Sequence, residues 1–318
     1  MTQAPPSAQH APVVHARGLT KSYGGPAAAV DAVDLDIRAG EAVGFLGPNG
    51  AGKTSLMRML SCVSLPSAGS LSVFGLNAAK QSRDIRRRLG IVHQDDILDS
   101  ELTVAENIHI YGRYFGIPRA VIRETSAELL EFAKLSDRAD ARVETLSGGM
   151  KRRLSIARAL VSKPDVLLLD EPTTGLDPQA RHMLWDRLAM LKNRGVTLIV
   201  TTHFMDEAEQ LCDRILLMDE GRIKDEGAPQ DLITRYASKD VVEIRASGEE
   251  DVPALEELAG KVGKRTERLP NRLLLYVDDG DLALRQVIGL GIDPRNCLVR
   301  RGSLEDVFLR LSGRSLTG

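Results

Sequence analysis

Long apolar runs are missing from this chain of 318 residues. No stretch approaches the roughly 18 consecutive apolar residues that a helix needs to cross a bilayer. The chain is therefore not expected to span a membrane. Residues 1–12, MTQAPPSAQHAP, lack the basic-then-apolar pattern of an export signal and are expected to form a disordered tail. Cysteine is scarce: Cys62, Cys212 and Cys297 have neither metal-site nor disulfide spacing, which fits a reducing cytosol. An excess of one charge is absent too. The 42 basic and 44 acidic residues leave a net charge of −2, with no electrostatic footprint for nucleic acid. The basic triplet at 86–88 is short enough to be a solvated helix face.

What is present is more specific. The length calls for about two domains, and 43% hydrophobic residues suffice for real cores. Residues 47–54 read Gly47-Pro48-Asn49-Gly50-Ala51-Gly52-Lys53-Thr54 and match G-x-x-x-x-G-K-[ST]. A short apolar run at 41–46 suits a buried parallel strand before this loop. After it, Leu56, Met59 and Leu60 fall on one helical face. The glycines let backbone N–H groups turn around phosphate oxygens, and the helix start adds partial positive charge. Lys53 would reach the β- and γ-phosphates, and the Thr54 hydroxyl would bind Mg²⁺.

Residues 165–170, DVLLLD, form an apolar run that fits a central strand and ends in a carboxylate. Ligands of open α/β sheets gather at such strand ends. Asp170 would hold Mg²⁺ there, and Glu171 would polarise the attacking water as general base. Lys53 and Asp170 lie far apart in the chain, so a sizeable insertion separates their strands. It reads as helical, with a capping box at Thr103 and Glu106 and helical periodicity over 121–135. Then comes Leu146-Ser147-Gly148-Gly149-Met150. Ser147 is a natural N-cap, and with Gly148 and Gly149 it opens a second helix with bare N–H groups, a second anion site. Leu154, Ala157, Leu160 and Val161 form that helix's inward stripe.

Together these segments resemble the ATPase subunit of an ATP-binding cassette (ABC) protein. The resemblance covers roughly residues 13–235 and rests on GPNGAGKT at 47–54, Gln94 after LGIVH, LSGGM at 146–150, LLLDEP at 167–172, TTGLDP at 173–178 and His203 after VTLIVTT. It implies a P-loop α/β core with an antiparallel β subdomain and a helical insertion at about 95–160. Two such cassettes would sandwich two ATPs head to tail, each between one chain's 47–54 loop and the other's 146–150 element. Ser55 would join the nucleotide contacts and Tyr23 would stack on adenine. Gln94 would touch Mg²⁺ or the lytic water, His203 the γ-phosphate, and Asp177 the dimer contact. The family's usual Gln at the end of the signature is replaced by Met150. Ser147 and the glycine N–H groups are expected to carry the phosphate contact in its place. The basic run at 151–153 is expected to add positive potential near the phosphates.

After about residue 236 the character changes. Strand-like segments at 241–246, 264–268, 272–277 and 296–301 alternate with helical ones at 253–260 and 281–290. The order β-α-β-β-α-β calls for a small ferredoxin-like α+β domain over residues 240–318. Residues 303–316 form an amphipathic segment, with Ser303 as cap and Leu304, Val307, Phe308 and Leu311 on one face. The segment resembles the carboxyl-terminal extension of cassettes serving ABC-2-type exporters of drugs, nodulation factors or lipooligosaccharides. The resemblance thus implies a motor subunit on the cytoplasmic face of the membrane, paired with a second copy and with separate ABC-2-type permease subunits. The alternative is a soluble cassette ATPase acting on DNA or ribosomes. Such relatives carry a long coiled coil, zinc cysteines or two cassettes in one chain, and none of these is seen. Because Ser147 and the glycine N–H groups are expected to carry the phosphate contact, Met150→Gln should change steady-state ATPase activity only modestly. A collapse of turnover would assign the thioether a specific role.

Overall fold

The computed structural model describes residues 12–25, 27–95 and 97–312. Of the tail expected at 1–12 only Pro12 is among them, and residues 313–316 of the terminal segment lie outside. The chain divides into two compact units, one ending at Glu226 and the other starting at Gly227.

The first unit runs β1 (Val14–Lys21), β2 (Val30–Ile37), β3 (Ala42–Leu46), α1 (Lys53–Leu60), β4 (Ala68–Val73), β5 (Leu76–Asn77), α2 (Ser82–Arg86) and β6 (Leu89–Val92). The insertion helices follow: α3 (Val104–Tyr114), α4 (Arg119–Phe132) and α5 (Gly148–Ala159). Then come β7 (Val166–Asp170), α6 (Pro178–Asn193), β8 (Thr197–Thr202), α7 (Met205–Leu211), β9 (Arg214–Asp219) and β10 (Arg222–Gly227). Two sheets result. One is antiparallel, in the order β2-β1-β4-β5. The other, β10-β9-β3-β8-β7-β6, is parallel from β9 to β6. Its central strands β3, β7 and β8 are buried at every position, because helices cover a parallel sheet on both faces.

Helix α1 lies against β1 of the antiparallel sheet and against β7 and β8 of the parallel one. Leu56, Met57, Met59 and Leu60 are buried there, in one core with Val14, Leu35, Phe45 and Ile199. Each such side chain contributes roughly 1.5–3 kcal/mol of burial. The helix that begins at the glycine loop is therefore held by both sheets. In the insertion, α3, α4 and α5 pack on one another. Thr103 and Glu106 form the expected capping box: the Glu106 N–H donates to Thr103 Oγ1 at 3.2 Å, and the Thr103 N–H donates to Glu106 Oε2 at 2.8 Å.

The second unit contains α8 (Pro229–Tyr236), β11 (Asp240–Arg245), α9 (Val252–Ala259), β12 (Arg265–Leu269), β13 (Arg272–Val277), α10 (Gly280–Gly289), β14 (Cys297–Arg301) and α11 (Leu304–Ser312). Its sheet, β12-β13-β11-β14, is antiparallel throughout, which is the ferredoxin-like arrangement. Val242, Ile244, Leu273, Leu275, Ala283 and Val287 form the core of this unit. The unit begins ahead of the change of character read at 236, because α8 packs on α11. On α11 the buried face is Leu304, Val307, Phe308 and Leu309, with Leu311 left exposed.

The other face of this sheet carries a polar knot. Asp306 on α11 is fully buried. Its carboxylate accepts the Arg300 guanidinium at 2.7 and 2.8 Å, the Tyr276 hydroxyl at 3.1 Å and the Ser303 N–H at 2.8 Å. Burial alone would push the Asp306 carboxyl up, but the Arg300 fork and the Ser303 donors together more than offset it and hold the group below its ordinary range. Removing one partner of a buried pair strands the other. Asp306→Ala should therefore destabilise this unit by ~3 kcal/mol in denaturant unfolding. The folded-state pKa is depressed, so this contribution is complete above the usual carboxyl range and is lost as pH falls through the lowered value. The gap between wild type and variant should thus be full at neutral pH and close only below about pH 4.

Candidate functional site

Parallel pairing brings the ends of four strands level. Leu46 lies opposite Thr202, Asp170 opposite Thr201, and Val92 opposite Leu169. The residues that follow each strand emerge along one edge: the 47–54 loop after β3, Gln94 after β6, Glu171 after β7 and His203 after β8.

The loop is pressed tightly into the fold. A Cβ on Gly47 would sit 2.1 Å from the Met218 carbonyl oxygen, and one on Gly52 would sit 2.2 Å from that of Ala29. Gly52 also has φ +101°, a region that L side chains rarely adopt. Lys53 opens α1 and is buried, with its ammonium donating to the carbonyls of Gly47 at 2.6 Å and Pro48 at 3.0 Å. Burial pushes its pKa down, against the pull of Glu171 and Asp170.

Asp170 is nearly buried, and Thr201 Oγ1 donates to its carboxylate. Glu171 sits beyond it with φ +45°, in the left-handed region. Its N–H donates to the Thr201 carbonyl at 3.0 Å and to Thr201 Oγ1 at 3.1 Å. Three groups gather on its carboxylate: Thr174 Oγ1 donates at 3.1 Å, Gln94 Nε2 at 3.4 Å, and His203 Nδ1 lies 3.4 Å away without hydrogen-bond alignment. Asn49, Gly50, Ala51, Gly52, Lys53, Thr54 and Ser55 line one cavity of about 520 Å³ together with Gln94, Glu171, Thr174 and His203. Asp170 lines the neighbouring cavity, which shares Thr54 and Gln94 with the first.

Ser147, Gly148, Gly149, Tyr23 and Asp177 do not line the first cavity. Ser147 and Gly148 lie exposed at the start of α5. Ser147 Oγ caps the helix by accepting the Met150 N–H at 3.3 Å. That bond uses only the backbone at position 150, so this cap is indifferent to the Met side chain. Tyr23 is 58% exposed just beyond β1, with the Lys21 ammonium 5.2 Å from its ring centre. Asp177 caps α6, accepting the Ala180 N–H at 2.8 Å.

Three partners had escaped the sequence reading. Thr201 and Thr174 are ordinary threonines in sequence; pairing with β7 reveals Thr201, and the turn after β7 brings Thr174 onto the Glu171 carboxylate. Arg152 belongs to the basic run expected to add positive potential near the phosphates. It is instead 4% exposed, with its fork on main-chain carbonyls. Arg153 also turns away, donating to the Ala133 carbonyl at 2.6 Å. Arginines on the inner face of α5 satisfy carbonyls that burial would otherwise leave unpaired.

The loop, the acidic strand end, the Gln94–Glu171–His203 cluster and the inserted helices define a P-loop ATPase of the cassette type. A family model described as ABC transporter matches residues 30–174. Nod factor export ATP-binding protein I of Ralstonia nicotianae is 46% identical over 309 residues, spanning 96% of this chain and 95% of the relative. The protein of the same name from Paraburkholderia xenovorans is 49% identical over 301 residues, spanning 94% and 96%. Among solved structures, the dimeric cassette MJ0796 bound to ADP and Pi superposes with TM-score 0.63 at 29% identity, over 68% of this chain and 98% of that one. CbiO1 of Clostridium perfringens, part of an ABC transporter complex, gives 0.66 at 28%, over 71% and 92%. The chain belongs to the ABC transporter family, as its ATP-binding and ATP-hydrolysing component. Among the described residues, no helix is long and apolar enough to cross a membrane.

Lys53 is the buried cation of the loop, and a hydrogen bond to a charged group is worth about 1.5–3 kcal/mol. Lys53→Ala should accordingly weaken ATP binding about ten- to a hundredfold in a titration with a fluorescent ATP analogue. Unchanged affinity would overturn the assignment of this loop to phosphate.

Proposed function

We propose that the chain is the motor subunit of an ABC-2-type exporter, working as a homodimer on the cytoplasmic face of the membrane beside separate permease subunits. The observation that carries this reading is a cavity that holds a phosphate loop and three catalytic candidates but lacks the chain's own signature. Ser147, Gly148 and Gly149 start a helix elsewhere, with Ser147 and Gly148 exposed, where they would complete the site of a second cassette. The dimeric structure of the similar cassette MJ0796 supports a role for a second copy. Each ATP would lie between one chain's 47–54 loop and its partner's 146–150 element, with Tyr23 against the adenine and Asp177 near the dimer contact.

The Thr54 hydroxyl, the Asp170 carboxylate and the Gln94 amide oxygen would supply oxygen donors, a set that suits a hard cation. No cluster of three or more His, Cys, Asp or Glu that could hold a metal occurs among the described residues. Mg²⁺ is normally held by one or two protein oxygens together with phosphate and water. Bound there, Mg²⁺ would offset the charge that develops on the phosphates. Glu171 would take the proton of the attacking water. Its backbone and carboxylate are fixed by Thr201 and Thr174, leaving Gln94 and His203 beside the point of attack. Lys53 would leave the Gly47 and Pro48 carbonyls for the β- and γ-phosphates.

A groove of about 430 Å³ lies between the segment after Gln94 and α3. Ile97 and Tyr114 are exposed there, beside Ile110 and Arg158. It would receive a coupling segment of the permease and relay its position to Gln94. The relatives that match along nearly their full length are named for Nod factor export. That supports export, of a lipid or glycolipid-like cargo or a drug, and does not favour action on DNA or ribosomes.

Glu171→Gln tests the core of this reading. The variant should bind ATP, lose at least about a hundredfold in turnover, as expected when a general base is removed, and run as a dimer with ATP but a monomer without it. Wild-type turnover would remove Glu171 as the base. Extraction from membranes in mild detergent should bring down a polytopic membrane subunit with it.

A further inference from the structure

Arg152 stands in the second turn of α5 and does not itself line the phosphate cavity. Nε donates to the Pro172 carbonyl at 2.8 Å. Nη1 donates to the carbonyls of His93 at 2.5 Å and Gln94 at 3.4 Å. Nη2 donates to those of Asp170 at 2.9 Å and Glu171 at 3.1 Å. All five of these acceptors are main-chain oxygens, and they come from two separate segments: the root of the Gln94 loop and the end of β7. We propose that Arg152 is a positioning residue for ATP hydrolysis, holding the backbone beneath Gln94 and Glu171 in the alignment their side chains need. This inference rests on the assignment of Glu171 and Gln94 made above.

The chemistry suits the task. A guanidinium is planar, permanently charged and carries five N–H donors in a fixed fork, so it can bind two loops at once. A lysine ammonium is a point charge on a flexible stem. Glu171 needs the support, because its φ of +45° is unfavourable for a residue with a Cβ. Thr201 holds the N–H side of that residue, and Arg152 holds its carbonyl. Neither side chain at the reacting end touches Arg152 through these bonds, yet both hang from peptides that it fixes. The 3.4 Å approach of Gln94 to Glu171 depends on both peptides staying in place. The anchor also starts from the helix that opens with Ser147 and Gly148. A displacement of α5 is therefore delivered to the Gln94 loop and to Glu171 together. A second tie runs from Arg158, six residues further along α5, whose Nη1 donates to the Ile97 carbonyl.

The test uses Arg152→Gln and Arg152→Lys in the full chain, beside Glu171→Gln, with steady-state ATPase and equilibrium binding of trinitrophenyl-ATP. Arg152→Gln should lower kcat at least about tenfold, in line with the cost of small misplacements of catalytic groups. KM and the analogue's Kd should stay within about threefold, because the 47–54 loop is untouched. Arg152→Lys should recover only part of the turnover. A kcat within threefold of wild type in Arg152→Gln overturns the proposal. So does full turnover in Arg152→Lys, which would make charge rather than the fork the cause. A loss of affinity that matches the loss of turnover also overturns it, since that marks general damage. Should Arg152→Gln fail to fold, the same split of kcat against KM in Arg152→Lys decides. An active Glu171→Gln variant would sink the site assignment itself, whereas an inactive Glu171→Gln beside a fully active Arg152→Gln would sink only the positioning role.

Discussion

The parallel register of β6, β7, β8 and β3 is the constraint on which the rest of the first unit depends. In a parallel sheet, strands that pair in step also finish in step. Leu46, Thr202, Asp170 and Val92 end their strands within about one residue of each other. Everything chemical then follows from what the chain does next. After β3 it turns through glycines into α1, after β7 it offers two carboxylates, after β8 a histidine, and after β6 a glutamine. A slip of one residue in β7 would take Asp170 out of its pairing with Thr201 and out of level with the other strand ends. Burial of these strands on both faces makes such a slip costly, so the register protects the site.

The same burial explains why much of the fold was legible in the sequence. Runs such as DVLLLD have no polar face, and two-sided burial is the arrangement that uses them. In the carboxyl-terminal unit the strands at 241–246, 272–277 and 296–301 and the helices at 253–260 and 281–290 emerged within a residue or two. Their alternation is regular and their turns carry Pro270, Asn271 and glycines. The unit boundary was displaced because α8 is a helix of its own, and only its packing on α11 assigns it to the second unit.

The orientation of long polar side chains was not legible. Lys151, Arg152 and Arg153 read as one basic run that adds positive potential near the phosphates, and charge pattern alone does not separate the three. An arginine's direction is set instead by which carbonyls lack partners nearby, and that is known only once β7, the Gln94 loop and α5 are placed together. Thr201 is a similar case. It is one of several threonines in a β-branched strand, distinguished solely by pairing opposite Asp170. The carboxylates declared themselves by ending a strand, whereas the groups that hold them are ordinary in sequence.

Behind His203 the structure places a carboxyl where none is expected. Glu207 on α7 is fully buried, and burial pushes its pKa up to about 7 against hydrogen bonding from Thr202 and Trp185. A charged carboxylate in such a place is expensive unless paired, and here Trp185 Nε1 donates to it at 3.4 Å. The helix carrying Glu207 starts two residues after His203, and the Phe204 N–H that begins the turn donates to Thr202 Oγ1 at 2.9 Å. His203 thus lies between a strand end fixed by the sheet and a helix fixed by a polar group in an apolar pocket. The ring of His203 lies within 3.4 Å of Glu171, which is held by Thr201 and Arg152. The groups that face the cavity are few, but each is set by a buried polar contact one layer deeper. Substitutions in that deeper layer should therefore act on turnover before they act on nucleotide affinity, which depends mainly on the glycine loop and Lys53.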